Sequence, residues 1–265
     1  MRVRANEACC WWLCLMLSAT AAIVSAQPPG SGPPPGPPPP PRTAAPIDLT
    51  GYWVSLVTED WRPRMTVAPK GDAESVPLNA EGQKAAQAWD PAKDESSGQQ
   101  CKAYGAAAIV RRPGRMHITW QDDNTLKAEF DAGTQTRIFH FGSAEGKGGD
   151  WQGVSVASWD VPGTIMVRGS FGLGAGGGLD RGGALKVVTT KMKAGYLRRN
   201  GIPYSENAVM TEYFDRFDIP NGDSLLLVTT EVTDPMYLTA PFWISTHFKK
   251  QNDSGGWNPN PCSAK

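Results

Sequence analysis

Hydrophobic and polar residues alternate along much of the chain after residue 47. In segment 126–131, Leu126, Ala128 and Phe130 share one face, and Lys127, Glu129 and Asp131 share the other. A period of two is the pattern of a half-buried strand. Segment 185–192 repeats it, with Leu185, Val187 and Thr189 opposing Lys186, Val188 and Thr190. Short runs rich in β-branched and aromatic residues recur at 51–57, 115–120, 134–141, 151–159, 209–217, 225–232 and 242–248. Each is bounded by turn formers, as strands are. Asp122-Asp123-Asn124, Asp131-Ala132-Gly133 and Pro220-Asn221-Gly222-Asp223 separate consecutive runs. Asn, Asp and Gly tolerate the backbone angles that tight hairpins require. One segment, 79–89, reads as a helix, capped by Asn79, with Glu81 in its first turn and Asp90-Pro91 as its stop. The fold class predicted is all-β: an antiparallel up-and-down barrel of about 8–10 strands with one short helix, because closure leaves no bare edge.

Segment 209–217 breaks the clean alternation. Val209, Thr211, Tyr213, Asp215 and Phe217 oppose Met210, Glu212, Phe214 and Arg216. Polar groups therefore sit on both faces, and one set must look into protein. A barrel with a polar-lined lumen accommodates them, and a cavity is expected there.

The N-terminus has a different composition. Arg2 and Arg4 precede an apolar run that closes on Val24-Ser25-Ala26, the small-residue spacing of a cleaved export signal. Without a twin-arginine pair, the general secretory route is expected. Residues 27–46 hold eleven of the 23 prolines, which predicts an extended, disordered leader without a core. The expected organisation is thus a signal peptide over 1–26, a Pro-rich leader over 27–46 and one barrel domain over 47–265, in the periplasm or secreted. Formal net charge is zero for the whole chain, and −1 once Arg2, Arg4 and Glu7 leave with the signal. No basic run marks a nucleic-acid partner, and no second apolar stretch reaches membrane-span length. Cys9, Cys10 and Cys14 also leave with the signal, so Cys101 and Cys262 remain. Two cysteines in an oxidising compartment predict one disulfide, tying the irregular C-terminal tail to the body. Residues 163–183 include GSFGLGAGGGLDRGG. This lacks the Lys-Ser/Thr of a phosphate loop and any flanking βαβ unit, so a flexible loop at the barrel mouth is expected.

The segment DLTGYW, residues 48–53, places Gly51 and Trp53 at the opening of the first strand, and it resembles the start of a lipocalin (calycin) barrel. The later runs HITWQDDNTLKAEFDAGTQTRIFHF, WQGVSVASW, LKVVTT, NGIPYSENAVMTEYFDRF and VTTEVTDPMYLTAPF resemble a group of uncharacterised exported bacterial proteins with lipocalin-like barrels. The resemblance covers residues 48–250. It implies a barrel that encloses a small apolar or aromatic molecule, with Trp53 closing the barrel end.

Three features carry candidate chemistry. His117, His140 and His247 are the only histidines. Three imidazoles suit a zinc or copper site, but no HxH or HExxH spacing joins them, and neither metal nor cofactor is expected. Second, a His beside a carboxylate moves protons, with Arg or Tyr holding an anionic intermediate. His117, His140, Arg137 and Glu212 form the candidate catalytic set; Glu206 and Asp131 are further carboxylates of interest, although Asp122, Asp123 and Asp131 sit at turns. Third, aromatic and polar residues suit a lumen wall: Trp53, Trp120, Glu129, Tyr204, Tyr213 and His247 are the candidate ligand-binding set. No Gly-x-Ser-x-Gly elbow occurs, which excludes an α/β-hydrolase. The primary expectation is an exported protein that binds or carries a small, partly apolar or aromatic molecule in its barrel. The alternatives are a cofactor-independent lyase, isomerase or hydrolase using the His/carboxylate set, and an envelope interaction protein with a filled barrel.

Overall fold

A computed structural model describes residues 37–144, 146, 148–161 and 183–264. The signal segment, most of the leader and residues 163–182 of the glycine-rich loop lie outside the described residues. The chain divides into Met1–Pro38 and Pro39–Lys265, and the barrel belongs wholly to the second unit.

The fold is all-β around a closed barrel of nine strands. In chain order these are β1 Gly51–Leu56, β2 Arg115–Asp122, β3 Thr125–Phe130, β4 Gln135–Phe141, β5 Val154–Asp160, β6 Ala184–Thr190, β9 Val209–Asp218, β10 Ser224–Thr233 and β11 Phe242–Gln251. Every one falls on a run read from the sequence. A short hairpin, β7 Gly195–Arg198 with β8 Ile202–Tyr204, is inserted between β6 and β9 and forms its own sheet. All barrel neighbours are antiparallel except β4 and β5, which run parallel through Phe139↔Ser155 and Phe141↔Ala157. This departs from an up-and-down meander, and closure demands it: directions cannot alternate all the way round an odd number of strands.

Helical structure exceeds the one helix expected. Between β1 and β2 lie α1 Trp61–Met65, α2 Ala80–Gln87, α3 Pro91–Ser96, a 3₁₀ helix Gln100–Tyr104 and α4 Ala106–Ile109. Asn79 caps α2, accepting from the Gly82 amide at 2.9 Å. Asp90-Pro91, read as a stop, also starts the next helix. Asp90 accepts from the Ala92 and Lys93 amides at 3.0 and 3.2 Å, and Pro91 fits the first turn, where its missing N–H costs nothing. These helices and the β7–β8 hairpin cap the end of the barrel where β1 finishes and β2 begins.

The register fixes which side chains face inward. Trp53 pairs with Met116, Leu126 with Phe139, Ala128 with Arg137, Val187 with Glu212 and Phe214 with Val228. All of these side chains are buried, and the apolar ones join a single packed cluster. At the end away from the helices, Trp120, Phe141 and Trp159 pack together at centroid distances of 5.3–6.5 Å. There the leader is ordered earlier than residue 47. The Pro41 carbonyl accepts from Trp159 Nε1 at 2.8 Å, and the Arg42 amide donates to the Asp123 carbonyl at 3.1 Å. Proline lacks a donor but keeps its carbonyl, and a half-buried indole N–H needs one.

Cys101 and Cys262 form the expected disulfide, with Cα atoms 5.1 Å apart. The tail follows it: the Asn260 amide donates to the Asp131 carbonyl at 3.0 Å. Asp131 itself is buried and accepts from the Arg115 amide at 2.7 Å, so this carboxylate is a turn anchor.

Candidate functional site

The candidate catalytic set is split by the barrel wall. Arg137 and Glu212 point inward and form a two-pronged ion pair at 3.0 and 2.6 Å, with side chains at most 1 % exposed. Thr189 Oγ1 accepts from Arg137 at 3.3 Å and lies 2.8 Å from Ser155 Oγ. His117 and His140 sit at odd offsets from these inward positions, and the strand period turns them outward. His117 is stacked on Tyr52 at 3.9 Å and stands 3.5 Å from Glu129 on the outer face. His140 is half-buried opposite Thr125 and Val156. The His/carboxylate constellation expected across the lumen is therefore corrected: the imidazoles and the Arg137–Glu212 pair lie on opposite faces of one sheet.

The candidate ligand-binding residues also disperse. Trp53 is fully buried, and its indole donates to the Leu49 carbonyl at 2.9 Å, so its donor is taken. Trp120 belongs to the aromatic end cluster. Glu129 faces out beside Lys127 at 3.1 Å. Tyr213 faces out under Lys186, whose ammonium is 5.7 Å from the ring. His247 faces out and pairs with Glu59 at 2.9 Å. Glu206 is exposed. Among the described residues, no three His, Cys, Asp or Glu side chains gather as a metal site.

Of this set, Tyr204 borders a cavity. Its hydroxyl is buried without a hydrogen-bond partner, and a side chain at Gly105 or Gly195 would collide with it. Burial raises its ionisation above the usual range; nearby Arg137 opposes the shift and Asp150 adds to it. Tyr204 stays a neutral phenol.

The cavity is a cleft of about 500 Å³ between α2, α3, the 3₁₀ helix and the β7–β8 hairpin. Its aromatic walls are Trp89, Tyr196, Tyr204 and Tyr237. Trp89 packs against Gly201, whose φ of +80° and missing Cβ leave room for the side chain. The polar floor is Asp94, largely buried, whose oxygens accept from Lys102 Nζ at 2.8 Å and from the Tyr196 hydroxyl at 2.7 Å. Burial, then the bond to Asp94, raises the Tyr196 phenol above its usual range. It too remains a donor and not a base. Lys102 has three N–H donors and spends one on Asp94, so the others can meet an acceptor in the cleft.

Sequence reading missed this site, because its residues come from four short elements and no spacing links them. The signal that was present is Asp90-Pro91 as a cap: a second helix there would have placed Asp94 one turn beyond Asp90. The aromatic cleft and two further cavities bordered by Arg198 are lined by no barrel strand. The polar lumen inferred from segment 209–217 holds the Arg137–Glu212 pair. No family model, curated protein or solved structure matches the chain.

Proposed function

We propose that this is an exported binding protein for a small, partly aromatic molecule, and that the molecule lies in the cleft beside the barrel. One observation carries the reading: a cleft of about 500 Å³ with four aromatic side chains over an Asp94–Lys102–Tyr196 floor. Its size falls within the range of small-molecule sites, and apolar walls with a few fixed polar groups are their usual make-up. The floor suits binding better than turnover. Both oxygens of Asp94 are engaged, and the Tyr196 and Tyr204 phenols are held neutral. Export is supported by the N-terminal signal pattern and by the Cys101–Cys262 bridge, since such bridges persist in oxidising compartments.

Native mass spectrometry of the secreted, never-denatured chain tests the proposal. The expected result is a bound organic mass on the parent, lost in Ala88→Trp. Ala88 is exposed on the cleft rim, so the new indole fills the cleft without disturbing the core. Loss of residues 1–26 from the same mass supports export. A ligand that stays bound to Ala88→Trp sinks the cleft as the site, and a parent that carries and takes up nothing sinks the reading.

A further inference from the structure

A second, smaller cleft lies on the other side of the layer formed by the 3₁₀ helix and β7. Lys102 and Tyr196 face the aromatic cleft, while their neighbours Ala103 and Leu197 line this one. Its remaining walls include Arg64, Arg111, Arg112, Arg198 and Arg199, with no acidic residue in the lining. Five guanidiniums around about 30 Å³ is a concentration of like charge that needs compensation.

Compensation is incomplete. Glu59 takes Arg64 and stands 3.9 Å from Arg111, besides holding His247. Asp60 takes Arg111 at 3.0 Å. Asp72, Glu74 and Asp60 act on Arg198 at longer range. Arg112 and Arg199 have no carboxylate partner among the described residues. Arg112 donates to the Tyr104 hydroxyl at 2.5 Å and lies over its ring, and Arg199 donates to the Arg64 carbonyl at 3.5 Å. Three of their nitrogens, Arg112 Nε and Nη1 and Arg199 Nε, are buried with no partner. A buried donor without a partner carries its full desolvation cost. The cluster already feels its own charge: burial, then repulsion from Arg64, brings the Arg111 guanidinium down to about 10.

We infer that this arginine cleft is a binding site for a phosphate group, held by Arg112 and Arg199 with Arg64, Arg111 and Arg198 around it. Among the described residues two guanidiniums lack a counter-charge, and a phosphate monoester carries about 1.5 to 2 negative charges near neutral pH. Guanidinium forks match phosphate oxygens in pairs. The enclosed space is about the size of one water, so it seats an oxygen of the phosphate while the rest of the group stands at the mouth of the cleft. The site is separate from the aromatic cleft and does not depend on what that cleft holds.

Calorimetric titration of the full chain with inorganic phosphate tests the inference, in phosphate-free buffer at low ionic strength. Acetate and chloride at matched ionic strength serve as comparisons. One saturable site is expected, with phosphate preferred over both comparisons. Arg112→Gln and Arg199→Gln should each weaken phosphate by about tenfold or more, as loss of a buried charge partner does. Arg42→Gln should leave affinity unchanged, because that side chain is exposed beside Asp123. Glycerol phosphate binding more tightly than inorganic phosphate assigns the site to the end of a larger phosphomonoester; the reverse order assigns it to free phosphate. Thermal melting supplies the second readout. Without phosphate, Arg112→Gln should melt no lower than the parent, since it removes an uncompensated buried charge. With phosphate, the parent and Arg42→Gln should gain alike and Arg112→Gln clearly less. No saturable binding, or equal binding by parent, Arg112→Gln and Arg199→Gln, overturns the inference. Should Arg112→Gln misfold, Arg199→Lys keeps the charge and loses the fork, and undiminished phosphate affinity in that variant overturns it as well.

Discussion

Truncating Glu212 to alanine is expected to destabilise the fold by about 3–5 kcal/mol, the cost of leaving one member of a buried ion pair without its partner. The pair is isolated in the barrel interior: both side chains are at most 1 % exposed, and two hydrogen bonds join them. Glu212→Ala leaves the Arg137 guanidinium with Thr189 as its one hydrogen-bond partner, at 3.3 Å. Its Nε has none even in the intact protein. For a domain of this size, a loss of that order lowers the melting midpoint by roughly 6–20 °C. Arg137→Ala should cost a similar amount for the converse reason. The double variant Arg137→Met/Glu212→Leu separates burial of charge from loss of packing. Apolar replacement of a buried pair is often neutral or better, so the double variant should recover most of what either truncation loses. Urea unfolding of the four proteins checks this. If the double variant is as unstable as the single ones added together, the pair contributes net stability and the desolvation argument fails here.

That ion pair also shows how far the sequence was legible. β-branched and aromatic runs between turn formers located all nine barrel strands, and alternation, where it was clean, marked their buried face. It identified segment 209–217 as carrying one polar face too many, and Glu212 is the residue responsible. It could not say that the answer to Glu212 was Arg137, 75 residues away, because the partner depends on the circular strand order. Two strands, β5 and β6, stand between β4 and β9 in that order, and nothing within them states which strands they pair with. His117 and His140 illustrate the same gap. Strand period groups His117 with Arg115 and Thr119, and His140 with Thr136 and Ile138, but inward and outward are assigned by register, and the register turns both outward. The parallel β4–β5 seam follows from an odd strand count, while its position does not. The two clefts were hidden for a different reason. They are built from helices of four to eight residues, too short for a 3.6-residue period to declare itself. The doublets Arg111-Arg112 and Arg198-Arg199 were visible as letters, yet only packing of α4 on β7 brings them together.

Converting Cys101 and Cys262 to serine is expected to lower stability by about 4–5 kcal/mol in the chain-entropy model, which charges the unfolded state for closing a very long loop. The bridge spans 161 residues, so the unfolded chain loses much of its freedom when it is intact. Besides the bridge, the native tail is held by hydrogen bonds and one indole. Asn260 pairs with Ala132 and with the Asp131 carbonyl, the Ala264 amide donates to Glu95 at 2.8 Å, and Trp257 stands edge-on to Tyr52. Without the bridge these contacts open locally at little cost, and the measured loss should come with early proteolysis of residues 252–264 while the barrel persists. The bridge has a second consequence through its position. Cys101 lies in the same 3₁₀ helix that presents Lys102 to the aromatic cleft and Ala103 to the arginine cleft. Freeing that helix should weaken binding at both clefts together, whereas Ala88→Trp should affect only the first and Arg112→Gln only the second. Urea midpoints with and without reductant, followed by phosphate titration of the reduced protein, check both consequences. A midpoint insensitive to reductant would show that the bridge contributes nothing to stability in solution, and export would then rest on the N-terminal pattern alone.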